Sequence, residues 1–312
     1  MADAGRKPNF AAWLWLWIAA LAIFELVAHP LIRASVPSEE SWERASAFVR
    51  ERFQPGDRLV AAPRWADPIV RHHLGDLTSL RAAAPPDSGG FDRLWELSIR
   101  DARTRAAPAA PEASFDGVQV RMWPLRGPRV LFDFVEKVGD ARVEVLDQGT
   151  LVSCPWTRTR PDPGGLERGP MRPEERFVCD SKRPWLWVGP TVLADLDLRP
   201  RRCIWQHPTG LEPVRTIFED VPLGNRLVVR AGIDYQAARE RRRAPVTLTI
   251  VIDQEVVGEV VHHDGDGWSG VDIDTSDRSG QRASVRFETR TTDPTARLFC
   301  YSASTQQASD DD

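Results

Sequence analysis

The longest apolar run comes first. Residues 9–32 read NFAAWLWLWIAALAIFELVAHPLI, with Glu25 the one acidic residue and His29 the one imidazole. A helix of about 20 apolar residues crosses a bilayer core of roughly 30 Å, so this stretch predicts a transmembrane anchor. Trp13, Trp15 and Trp17 cluster near one end, where indole rings favour the lipid–water interface. Arg6 and Lys7 precede the span, which places residues 1–8 in the cytoplasm and everything beyond about residue 33 outside it. A cleaved export signal is the rival reading. It is disfavoured by the length of the run and by Pro30 directly after Val27-Ala28-His29. Glu25 is costly at mid-membrane and tolerable near the outer interface; the alternative is a role in helix pairing.

The periodicity then changes. In residues 38–53, Trp42, Ala45, Phe48, Val49 and Phe53 recur at three- and four-residue steps, which predicts an amphipathic helix. Glu39 and Glu40 follow Ser38 in a first turn that suits the helix dipole, and Pro55-Gly56 stops it. A short strand at 58–62, a helix at 65–74 and an imperfectly alternating strand at 91–100 complete a small α/β unit over residues 36–101. Residues 102–114 are rich in Ala and Pro without apolar pattern and read as a linker or an exposed loop. Residues 115–184 read as an irregular β region. Its strands are predicted at 117–123, 129–135 and 141–146, followed by a turn-rich stretch at 155–176.

From residue 185 the alternation is that of an all-β body. Nine strands are predicted at 185–193, 203–207, 213–219, 225–233, 245–253, 255–263, 268–275, 283–291 and 296–303. Val246, Leu248, Ile250 and Ile252 point one way, and Thr247 and Thr249 the other. Short strands spaced by turns predict a jelly-roll-like β-sandwich over residues 185–303. Residues 304–312 read as a frayed polar tail. The fold class is mainly β, with a small α/β unit and one N-terminal transmembrane helix.

Composition adds three constraints. With 42% hydrophobic and 28% charged residues the chain is neither disordered nor a coiled coil. A net charge of −4 supplies no drive toward nucleic acid. Four cysteines, Cys154, Cys179, Cys203 and Cys300, all follow the apolar span. An even number in an exported region predicts two disulfides, of which three connectivities exist. We favour Cys154–Cys179, bracketing the turn-rich loop, and Cys203–Cys300, tying the ends of the sandwich. No pair has the spacing of a zinc knuckle.

Two stretches resemble known families. Trp42, Pro55-Gly56-Asp57, Ala62-Pro63 and Phe91-Asp92-Arg93-Leu94-Trp95 resemble the extracytoplasmic region of polytopic mannosyltransferase-type glycosyltransferases. The resemblance transfers no catalytic residue, because those enzymes carry their acidic residue between many membrane helices. Phe218-Glu219-Asp220-Val221-Pro222-Leu223-Gly224, Gly232-Ile233, Pro245-Val246, Asp266-Gly267-Trp268 and Phe299-Cys300-Tyr301 resemble β-sandwich modules similar to carbohydrate-binding domains. That resemblance implies a binding or scaffolding sandwich without fixing a sugar.

The densest polar cluster is His262-His263-Asp264-Gly265-Asp266-Gly267-Trp268, continuing to Asp272 and Asp274. Asp264 and Asp266 invite Ca²⁺, yet the twelve-residue loop template fails from its fifth position, where Trp268 stands. A hairpin turn explains Gly-Asp-Gly as well. Trp268 and Trp156 are the candidates for stacking on a sugar, since aromatic faces give large contact area. His207 is a possible base without a nucleophile beside it, and the basic run 239–243 is a candidate for anionic glycan or lipid phosphate. No phosphate-binding loop, dinucleotide fingerprint, zinc-protease helix or nucleophile elbow occurs. We therefore expect an extracytoplasmic, non-catalytic binding or accessory protein. It would sit in the inner membrane with its bulk in the periplasm or equivalent space, with envelope glycan as its ligand and no cofactor. The alternatives are an enzyme acting on envelope polysaccharide and a subunit docking beside a multi-span glycosyltransferase.

Overall fold

A computed structural model describes residues 10–34, 36–78, 82, 87–147, 149–164, 170–239 and 243–308. Residues 1–9, which include the expected cytoplasmic segment 1–8, the centre of the 239–243 basic run and the last four residues lie outside the described residues. The described chain divides into two compact units. The first draws on residues up to 54, 60–77 and 95–123, the second on 55–59, 78–94 and 124 onward.

The first unit opens with α1 (Phe10–Ala34), whose segment Trp13–Pro30 has a mean hydropathy of 1.5 and buries none of its residues. It is long and apolar enough to cross a membrane. Helix α2 (Glu39–Arg50) starts where Ser38 Oγ accepts from the Ser41 amide at 3.2 Å. It buries Trp42, Ala45 and Val49, the stripe its periodicity predicts. Helix α3 (Asp67–Leu74) has Pro68 in its first turn, where the missing N–H costs nothing, and buries Val70 and Leu74. Strands β1 (Asp57–Ala62), β2 (Arg93–Ile99), β3 (Ala113–Phe115) and β4 (Val118–Pro124) form a sheet in the order β1-β2-β4-β3. Six consecutive residues of β2, Leu94 to Ile99, are buried, which is why its alternation reads imperfectly. The Ala/Pro-rich segment proves to be an exposed loop and not a linker between domains. It joins β2 to β3 within one sheet, and its Thr104 amide donates to buried Glu96 at 2.7 Å.

The second unit is a two-sheet sandwich. Its upstream strands are β5 (Arg129–Asp133), β6 (Arg142–Asp147), β7 (Thr150–Cys154), β8 (Trp156–Arg158) and β9 (Glu175–Val178). Then come β10 (Trp187–Ala194), β11 (Pro200–Gln206), β12 (Val214–Pro222), β13 (Arg226–Ile233) and the short helix α4 (Tyr235–Arg239). The last strands are β14 (Val246–Ile252), β15 (Glu255–His262), β16 (Ser269–Asp274), β17 (Arg282–Thr291) and β18 (Phe299–Gln307). One sheet runs β16-β13-β18-β11-β10-β9-β8 with β5 also paired to β18; the other runs β15-β14-β17-β12-β6-β7. Between them lies one apolar core, in which Phe134, Phe218 and Phe287 meet edge to face. Val246, Leu248, Ile250 and Ile252 point into it as their alternation predicts.

Two expectations are corrected. The sandwich does not begin at 185, because β5 to β9 supply strands to both sheets. Nor does the chain fray at 304. Ser304 to Gln307 continue β18, paired with β13 on one side and β5 on the other, and Thr305 Oγ1 donates to the Pro222 carbonyl at 2.8 Å.

Both disulfides lie in this unit. Cys154 bonds Cys179 across the turn-rich loop, and Cys203 on β11 bonds Cys300 on β18, with Cα atoms 4.4 and 5.8 Å apart. β11 and β18 are neighbours in the eight-stranded sheet, so the second bond staples adjacent strands, one from the middle and one from the end of the sandwich's strand order. Gln206 links the two sheets through the core. Its Nε2 donates to the Val214 and Phe287 carbonyls, and its Oε1 accepts from Thr216 and Tyr301 hydroxyls. Every polar arm of a fully buried amide is thereby satisfied.

Candidate functional site

The acidic turn is built as a hairpin. Gly265 and Gly267 take positive φ angles of 92° and 69° between β15 and β16. Asp266 Oδ2 accepts from the His263 amide at 2.7 Å. Asp264 accepts from the Arg243 amide through Oδ2 at 2.8 Å and from buried Arg297 through Oδ1 at 2.7 Å. Both carboxylates thus face internal donors. Adjacent His262 and His263 fall on opposite faces, the first buried and the second exposed, as strand alternation requires. Among the described residues no group of three or more His, Cys, Asp or Glu side chains converges as a metal site.

Trp268 lies half-buried against the outer face of the eight-stranded sheet. A Cβ on Gly232 would come within 2.5 Å of its Cε3, so only glycine lets the indole lie this close to β13. It packs beside the Cys203–Cys300 pair, and Arg201 sits 5.7 Å from its ring centre. Trp156 stands on β8, at the opposite edge of that sheet, and packs edge-on against Phe177. The structure does not bring Trp156 together with Trp268, Asp264 and Asp266. His207 is buried between Trp185 and Trp205, with Nδ1 2.7 Å from the Pro208 carbonyl. Burial first, with the charge of Arg297 behind it, lowers its pKa to about 4, so at neutral pH it is an uncharged imidazole.

The built cavity lies elsewhere in the second unit, beside β13 and β16. It measures about 510 Å³ and is bordered by Asp87, Arg126, Asn225, Arg226, Asp272 and Asp274, with Ile273 and Pro128 as apolar wall. β13 and β16 are drawn tight because Gly270 lacks a Cβ that would meet the Val229 carbonyl at 2.0 Å. Arg226 organises the rim. Its guanidinium donates to Gln306 Oε1 at 2.7 Å, to Asp87 at 3.4 Å and to Asp272 at 3.5 Å. Asp272 also pairs with Arg230 at 2.6 Å. Asn225 Oδ1 accepts from the Ala308 amide at 2.9 Å, which fixes the side chain and leaves its NH₂ to donate. Hydrogen bonds from Ser276 hold the Asp274 carboxyl below the ordinary range, so it lines the cavity as an acceptor.

The chemistry of this rim is mixed. Three carboxylates stand among two guanidiniums and an amide, with Arg226 tying Asp87 and Asp272 together. A strongly charged ligand of either sign would meet like charge there. A ligand whose every group both donates and accepts, such as a polyhydroxylated ring, finds a partner on each side. Sequence reasoning missed this site. Asp272 and Asp274 register only as the end of the acidic turn, and nothing in the sequence connects them with Asp87, Arg126 or Asn225. The one signal available is local: Asn225 and Asp274 each flank a strand end.

No protein-family model matches the chain, and no curated protein matches it. Six solved chains match this chain. Two are structures of CBM51-2 and INT domains from Clostridium perfringens ZmpB, one of them in complex with GlcNAc. Each is 12% identical, with a TM-score of 0.30, over 55% of this chain and 37% of that chain. This chain thus spans little more than a third of those chains' length. The mannosyltransferase-type resemblance of residues 42–95 finds no support among these matches.

Proposed function

We propose that this chain is a membrane-tethered, extracytoplasmic glycan-binding protein of the bacterial envelope. The anchor is α1, and the binding element is the sandwich cavity beside β13 and β16. The observation that carries the reading is the cavity rim, where Arg226, Asn225 and Arg126 alternate with Asp87, Asp272 and Asp274 over a volume of about 510 Å³. That space accommodates one or two sugar rings, and fixed side chains of both kinds match vicinal hydroxyls without rearrangement. The rim favours binding over hydrolysis. Glycoside cleavage calls for a carboxyl kept protonated near neutral pH. Asp274 is shifted the other way, while guanidinium groups engage Asp87 and Asp272.

Export supports the same reading. Two disulfides follow an exposed apolar helix, and disulfides persist in oxidising compartments. The preceding Arg6 and Lys7 orient that helix with its N-terminus in the cytoplasm. The test uses the full chain in lipid nanodiscs on an array of envelope polysaccharides, neutral and acidic. Saturable binding to neutral or weakly acidic glycans is expected. Absence of binding to every glycan, or binding to polyanions alone, would refute the reading.

A further inference from the structure

Two titratable side chains of α1 stand without a partner among the described residues. Glu25 and His29 lie one helical turn apart on an exposed helix, and neither makes a hydrogen bond or ion pair among the described residues. Pro30 sits inside the same turn and supplies no N–H to the Leu26 carbonyl. A carboxyl and an imidazole therefore fall within five residues of an apolar helix, beside a proline that breaks its hydrogen-bond ladder. Glu25 lies twelve residues beyond Trp13, or about 18 Å at 1.5 Å per residue, well inside a hydrocarbon core of roughly 30 Å. Ala22, Glu25, Leu26 and His29 share one exposed face of the helix at three- and four-residue steps. In hydrocarbon such groups face protein, and polar side chains there join helices to one another.

We propose that α1 pairs with α1 of a second copy of this chain, with Glu25 of each helix meeting His29 of the other. The inference rests on α1 being the membrane anchor. Two copies inserted by the same rule run parallel, and a two-fold axis then makes the contact reciprocal, so that each acid meets one base. The helix carries its own complement, which a partner of another sequence would have to supply separately. The small side chain of Ala22 lets the backbones approach on the same face. Pairing would present two sandwich cavities on one membrane site, and a repeating polysaccharide would then bind with raised avidity.

The experiment measures energy transfer between donor- and acceptor-labelled full chains in phosphatidylcholine–phosphatidylglycerol vesicles, across a series of lipid-to-protein ratios. Glu25→His and His29→Glu are each made alone. Each variant by itself should lose association by about tenfold or more, since its homodimer opposes like groups. Mixed together, the two variants restore the acid–base contacts and should associate within about threefold of the unmodified chain. A pairing of Glu25 with His29 inside one helix predicts no such recovery. Monomers at every dilution, or mixed variants no better than either alone, would overturn the proposal. Flotation of the same vesicles separates the two readings. A chain that fails to float removes the anchor itself, whereas a chain that floats as a monomer removes only the pairing.

Discussion

Arg297, with no solvent-exposed surface, donates through Nη1 to Asp264 Oδ1 at 2.7 Å. The acidic turn is thereby tied to the β17–β18 loop by a buried ion pair. Two further nitrogens of Arg297, Nε and Nη2, have no hydrogen-bond partner, so Asp264 is the principal compensation for a buried positive charge. Removing one member of such a pair costs about 3–5 kcal/mol. Asp264→Ala should lower stability by that amount in urea unfolding, and added Ca²⁺ should not restore it. A neutral effect, or a stabilisation of the unmodified chain by Ca²⁺ that the variant loses, would return the turn to the metal-binding reading.

The two disulfides close loops of different length, with sequence separations of 25 and 97. In the chain-entropy model the stabilisations are about 3.5 and 4.7 kcal/mol. The double substitution Cys203→Ser with Cys300→Ser should therefore destabilise more than Cys154→Ser with Cys179→Ser. It also strips a buried cluster of its sulfur contacts with Trp205 and Trp268. Equal effects in thermal unfolding would contradict the assignment of Cys203–Cys300 as the principal staple.

Acid should weaken the sandwich. Burial lowers His207 and His262 to about 4 in the folded chain, against an ordinary value near 6.5. The unfolded chain takes up protons first, so this stabilisation is complete above about pH 6.5 and is lost as pH falls through about 4. Buried Asp234 acts in the opposite sense, because burial raises its pKa and favours its protonated form. Unfolding free energy should drop by a few kcal/mol between pH 7 and pH 4.5, and the double variant His207→Gln with His262→Gln should flatten that profile. An unchanged slope would show that neither imidazole is buried neutral.

The sandwich strands that alternate cleanly were legible because one face of each meets the core: β14 and β17 could be read side chain by side chain. β3, β7, β8 and β9 escaped notice. They are three to five residues long, too short for periodicity to emerge, and β8 and β9 flank a Pro/Gly-rich loop. The tail was misread because Ser304 to Gln307 are polar, yet their backbone pairs on both sides of β18. The cavity was illegible for a different reason. Asp87, Arg126, Asn225 and Asp272 are brought together by strand order, and no local pattern records an adjacency of that range. Trp268 was conspicuous as an aromatic beside an acidic turn, but Gly232 beneath it shows how much of that prominence is packing.

The cavity variants separate binding from folding. Arg226→Ala removes the group that holds Asp87, Asp272 and Gln306, and should cost both affinity and stability. Asn225→Ala and Asp274→Ala remove groups that face the cavity at the loss of one backbone hydrogen bond each, and should lower the thermal midpoint by only a few degrees. Trp156→Ala, at the far edge of the sheet, should leave affinity intact.

The most direct measurement is calorimetric titration of a glycan hit into the full chain in nanodiscs, with Asn225→Ala and Asp274→Ala run beside it. Saturable heat from the unmodified chain, with affinity reduced at least about tenfold in each variant, is the predicted result. Binding of equal strength in all three would place the sugar elsewhere on the sandwich and contradict the account.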